Sequence, residues 1–146
     1  MPKMIFVNLA VADVEKSAAF YEAVGFTRDQ RFSRPESAAA MNWSDTIVFM
    51  LLGREHFAHF TSKTIIDSRT SVEALLCLSR DSRAEVDTIV EAARAAGGKT
   101  DPCPTQDYVF MYGRSFEDLD GHVIEPMWMD LHAALAAMGS QQTDAA

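Results

Sequence analysis

The chain has 146 residues, of which 48% are apolar and 23% charged, and a formal net charge of −8. This length and balance suit one domain with a sizeable core, or two small similar halves sharing one assembly, and exclude two large independent domains. The negative balance argues against nonspecific binding to nucleic acid or to an anionic membrane, since both need basic patches that displace counterions.

The opening MPKMIFVNLAV enters a strand-like segment directly, without the basic region, apolar stretch and cleavage pattern of a secretory signal. With no apolar run of bilayer length either, a cytoplasmic location is expected. Over Met4 to Val11, alternation puts Val7, Leu9 and Val11 on one face, suited to packing under a helix, and Phe6, Asn8 and Ala10 on the other. Asn8 needs a partner if that second face is enclosed. Asp13 is an N-cap, Val14, Ala18, Tyr21 and Val24 recur at helical spacing, and Gly25 stops the helix. Strands are predicted at Phe26 to Phe32, Ala38 to Trp43 and Thr46 to Leu52, with Pro35 and Ser44-Asp45 as interruptions.

Gly53 to Ser71 reads as a connector with a short helix in which His56 and His59 stand three residues apart, a spacing more common in a solvated patch than in a metal grip. The order then repeats. Val72 to Ser79 is a strand whose Cys77 reads as a small buried hydrophobe; with Cys103 between two prolines, the two cysteines make neither a disulfide framework nor a paired zinc motif. Ser82 and Glu85 form a capping box, Val86, Ile89, Val90 and Ala93 make a helical stripe, and Gly97-Gly98 ends it. Lys99 to Thr105, broken by Pro102 and Pro104, is an edge strand or loop.

Tyr108 to Asp130 is a hairpin of two longer strands joined through Asp118-Leu119-Asp120-Gly121, a strong turn signal. Its second arm carries one carboxylate, Glu125, among apolar neighbours, and a buried acid there needs a cation, a metal or several donors. Strand alternation sets His122 on the opposite side from Glu125, exposed beside the turn. Leu131 to Met138 is a short helix, and residues 139–146 read as a disordered tail. The expected organisation is therefore a single domain over residues 1–138, with modules at 4–52 and 72–130 and a connector at 53–71.

The segment FVNLAVADVEKSAAFYEAVGF and the closing SFEDLDGHVIEPMW resemble the opening and the terminal hairpin of the vicinal oxygen chelate superfamily. That superfamily contains glyoxalase I, bleomycin-resistance proteins and extradiol dioxygenases, and the likeness is closest to predicted lactoylglutathione lyases. Leu119 stands where the superfamily's hairpin usually has Pro. The resemblance implies an α+β fold of two βαβββ modules forming a cup-shaped mixed sheet around a cavity. It also implies a divalent metal held by the first and last strands of the modules. Those positions fall on Phe6, on Phe49 or Met50, on Leu75 (or Glu73 after a slip of two residues), and on Glu125. Only Glu125 clearly retains a ligand-type side chain, so the metal set is reduced to Glu125 and Glu73.

Asn8, Tyr112 and Arg114 are the polar side chains expected to reach the cavity and bind substrate, with Arg114 placed to neutralise Glu125 or a substrate anion. Three functions remain open. One is a glyoxalase-like lyase or isomerase acting on a small oxygen-bearing substrate, with Glu125 as ligand or base. Another is a non-catalytic protein of the bleomycin-resistance type that sequesters a small molecule. The third is a structural or partner-binding role. A homodimer is expected, because two half-open sheets expose edges and apolar faces.

Overall fold

The computed structural model describes residues 1–145, with side chains through Gly139. The first module contains β1 (Ile5–Val11), α1 (Val14–Ala23), β2 (Thr27–Arg34), β3 (Ala38–Asn42) and β4 (Ile47–Gly53). A connector follows, with the short helix α2 (Arg54–Phe57) and a 3₁₀ turn at Ala58–Phe60. The second module contains β5 (Leu75–Ser79), α3 (Arg83–Ala95), β6 (Lys99–Thr100), β7 (Gln106–Tyr108), β8 (Met111–Gly113), β9 (Phe116–Glu117) and β10 (Val123–Met129). The chain closes on α4 (Leu131–Ala145).

The first sheet runs β1-β4-β3-β2, with β1 parallel to β4 and the other pairs antiparallel. The second sheet repeats this order with its outer strands split. β5 runs parallel to β10, β8 and β9 share the far edge of β10, and β7 and β6 flank them. The two curled sheets make a half-barrel, as the α+β reading with two βαβββ modules expects.

Local chemistry accounts for the helix starts. Asp13 Oδ1 accepts from the Lys16 amide at 3.0 Å, and Ser82 Oγ accepts from Glu85 N at 3.1 Å while Glu85 Oε2 accepts from Asp81 N at 2.7 Å. The Asp13 and Ser82 caps satisfy amides that the first helical turn leaves without an intrahelical partner, and Glu85 ties down the residue before the cap. The buried stripes of α1 and α3 share one core. Leu9, Val11, Phe49 and Leu51 pack beneath α1, and Leu78 and Ile124 belong to the same cluster. Phe20 meets Phe116 across the modules with ring centroids 6.0 Å apart. Gly98 makes that approach close, because a Cβ there would stand 2.9 Å from the Phe20 ring and 2.6 Å from Glu117 O.

Several expectations are corrected. The terminal hairpin does not have one unbroken first arm. The ladder lapses at Arg114 and Ser115, between the Phe116 and Gly113 pairings, opposite Pro126 of the buried central strand, which has no N–H to donate. Lys99 to Thr105, by contrast, is as expected: Lys99–Thr100 form a short strand at the sheet edge, and a loop begins where Asp101 takes a positive φ of 55° ahead of Pro102. β5 starts at Leu75, leaving Val72 and Glu73 in the connector. The reading of 139–146 as disordered falls partly outside the described residues; within them, α4 continues through Ala145. Among the described residues, no helix is long and apolar enough to cross a membrane.

Candidate functional site

The turn between β9 and β10 joins the modules. Asp118 is 5% exposed and accepts three hydrogen bonds: the Tyr21 hydroxyl reaches Oδ2 at 2.7 Å, and the amides of Asp120 and His122 reach Oδ1 at 2.9 Å each. Burial raises its pKa above the ordinary carboxylate value, while nearby His122 and these donors partly offset the shift. The Tyr21 phenol, fully enclosed beside that acid, is held well above its usual range and stays protonated. Asp120 Oδ1 accepts from Ala12 N at 2.9 Å, and His122 Nε2 lies 2.8 Å from Ala10 O. A carbonyl only accepts, so Nε2 carries the proton and, in the neutral ring, Nδ1 is left as an acceptor. Gly121 has φ of 93°, and a Cβ there would fall 2.7 Å from Ser68 O and Arg69 N, so only glycine lets the connector cross this closely.

This clamp borders a half-open cavity of about 470 Å³ in the seam between β1, β5 and the start of β10, with connector residues on its remaining side. Val7, Leu9, Ile65, Val72, Leu76 and Val123 supply much of its apolar lining. Asn8, Lys63, Glu73 and His122 add sparse polar groups. A mostly apolar concave surface with a few polar groups is the usual chemistry of a small-molecule pocket.

The expected site residues divide. Asn8 and Glu73 line the seam cavity, and the Asn8 amide bonds no described residue. Tyr112 and Arg114 face the other way. Tyr112 donates to Asp87 of α3 at 2.7 Å, and Arg114 contacts Asp101, Asp87 and Glu91 at 2.8, 3.0 and 3.4 Å. These acids hold the Arg114 guanidinium firmly charged, and Arg114 in turn keeps the Asp101 carboxyl below its usual range. Tyr112 pairs with Trp128, so alternation along β8 and β10 directs both to the α3 side, where Arg83 stacks on each ring. Their placement as cavity residues is thereby corrected, and Arg114 does not neutralise Glu125.

Glu125 is not the buried acid that its apolar neighbours suggest. It is half-buried, makes no hydrogen bond or ion pair with a described residue, and sits beside Cys77 across the β5–β10 ladder. Cys77 is exposed rather than a core residue, and its thiol is pushed up by partial burial and then by the Glu125 charge, which opposes a thiolate nucleophile. His56 and His59 meet edge to face at 6.1 Å, and His56 also packs on Phe60 at 5.2 Å. At the strand positions where a metal would be held, Phe6 and Leu75 are exposed, Met50 pairs with Asn8, and Glu125 alone offers a hard donor. Glu73 precedes β5 and does not complete a set. Among the described residues, no three His, Cys, Asp or Glu side chains gather as ligands. This donor set does not fit a resident divalent ion.

Sequence reasoning overlooked Asp118 and misplaced His122. The DLDG stretch signals the turn, but nothing local shows that α1 and β1 supply the partners of both residues, from about a hundred positions away.

Residues 3–125 match the family described as Glyoxalase/Bleomycin resistance protein/Dioxygenase superfamily. No curated protein sequence matches the chain. Among solved structures, a hypothetical protein from S. aureus superposes with a TM-score of 0.72 at 27% identity, covering 88% of this chain and 94% of its own. A glyoxalase/bleomycin resistance protein/dioxygenase family enzyme from Burkholderia phytofirmans gives 0.70 at 22% identity, covering 88% and 99%. A glyoxalase-related enzyme from Fulvimarina pelagi gives 0.70 at 21%, covering 88% of each chain. The last two likenesses concern the fold.

Proposed function

Because this chain belongs to the glyoxalase/bleomycin resistance protein/dioxygenase superfamily, we propose that it is a metal-independent binder that sequesters a small, largely apolar molecule in the seam between its modules. The observation that carries this reading is the donor set: Phe6, Met50 and Leu75 stand at three of the four metal positions. Beside it lies an apolar cavity whose His122 has a fixed proton on Nε2 and an uncommitted Nδ1. Such a site selects by shape and by one or two hydrogen bonds, without a Lewis acid.

A glyoxalase-like lyase or isomerase is the second reading, and Glu125 favours it as a carboxylate at a strand position without a hydrogen-bond partner among the described residues. A base alone does not stabilise the enediolate that proton removal from a hemithioacetal would create, and no cationic group contacts Glu125 among the described residues.

A thermal-shift screen of apolar and cationic compounds, run with and without a chelator, tests the proposal. A ligand at a hundred times its Kd should stabilise the fold by about 2.7 kcal/mol, equally in both conditions. Ala74→Trp, at an exposed lining position, should abolish the shift by filling the cavity. Metal-dependent turnover of a hemithioacetal, lost in Glu125→Gln, would overturn the proposal in favour of the lyase.

A further inference from the structure

We infer, resting on the seam reading above, that the molecule taken up there carries a neutral hydrogen-bond donor, a hydroxyl or an N–H on an apolar body, and that His122 selects it. His122 is half-buried and lines the cavity together with its chain neighbours Gly121 and Val123. Its ring is fixed by a partner in the other module. Ala10 O, 2.8 Å from Nε2, is a carbonyl that only accepts, so the single proton of the neutral ring is committed to β1. Nδ1 bonds no described residue and stays accessible rather than enclosed. A ligand that reaches this ring therefore meets an acceptor, which only a donor satisfies.

The rest of the lining favours a neutral molecule. Lys63 and Glu73, both exposed, offset one another in charge, and the chain as a whole is at −8, so the cavity has no net cation to hold an acid. A free imidazole nitrogen on an open surface says little, because water supplies its hydrogen bond. Here Val7, Leu9, Leu76 and Val123 invite an apolar body that displaces that water. A ligand without a donor then leaves Nδ1 bare, whereas a hydroxyl or N–H replaces the lost bond, a difference of about tenfold in affinity.

Calorimetric titration of the full chain at about pH 8, above the ordinary imidazole range, tests this with indole, which donates through its N–H, and with its near-isostere benzofuran, which has no donor. Indole should bind about tenfold more tightly. His122→Leu should erase that preference, and Ala74→Trp, which fills the seam, should abolish binding of both compounds. The nitrogen-15 imidazole spectrum of the unmodified chain gives a second readout, independent of how well the variants fold: indole should move the His122 Nδ1 resonance and benzofuran should not. Equal affinity for the two compounds, lost for both in Ala74→Trp, would overturn the requirement for a donor and leave the seam reading standing. A preference that survives His122→Leu or Ala74→Trp, or an Nδ1 resonance indifferent to indole, would also overturn it. Absence of indole binding would overturn it too, and would take the seam reading with it only if the thermal-shift screen found no ligand.

Discussion

The turn at 118–122 and the strand after it both carry acids, and they use them in opposite ways. Asp118 and Asp120 are bound into hydrogen bonds that reach α1 and the end of β1. Glu125, a few residues on, has no hydrogen-bond partner among the described residues and faces only a neutral thiol across the ladder. The contrast separates structural acids from available ones. A carboxylate made to close a seam is saturated with donors, whereas one on an open sheet is free for a ligand. Burial alone in sequence terms, an acid among apolar residues, points to Glu125 and misses Asp118.

Breaking the turn should have the largest effect. Gly121→Ala imposes a positive φ on a residue with a Cβ and drives that atom into the connector backbone, so about 3 kcal/mol of stability should be lost in urea unfolding. Asp118→Ala should cost about 2–3 kcal/mol by stranding the enclosed Tyr21 hydroxyl and two turn amides.

The charge of Asp118 can be separated from its geometry by pH. Its folded pKa is raised, so its contribution is complete below the ordinary carboxylate pKa and is lost as pH rises through the folded value. Asp118→Asn, which keeps an acceptor for the amides, should therefore flatten the decline in stability through that window relative to the parent chain.

Arg114→Leu should cost about 1 kcal/mol, since its three acidic partners are substantially exposed. The sign with pH is opposite here. Asp101 has a lowered folded pKa, so its contribution is present above the unfolded carboxylate pKa and is lost on acidification through the folded value. Stability curves between pH 6 and pH 2 (roughly the span over which carboxylates protonate) should show a shallower acid loss in the variant. Ligand binding in the seam should not change. The smallest effect belongs to Glu125→Gln, expected within about 0.5 kcal/mol of the parent in the same assay, as for a position with no bond to lose. A large loss there would erase the distinction between the two kinds of acid.

Much of the fold is legible along the chain. Val7, Leu9 and Val11 alternate as the inner face of β1, Asp13 and Ser82 begin helices, and the repeated order of elements anticipates two sheets with the same strand sequence. Legibility fails where a neighbour strand decides. Pro126 sits in the central strand of its sheet and breaks the ladder at Arg114 and Ser115. Tyr112 and Arg114, polar and close to the hairpin, turn towards the acids of α3 because alternation along β8 and the charges on that helix agree.

Periodicity, caps and turn residues are local properties, encoded within a few positions, and they determine the order of elements in the two modules. Partnership is not local. That Asp118 would be the buried acid, that His122 would bond Ala10, and that the cavity would open along the seam were decided by tertiary structure, because each depends on packing one module against the other.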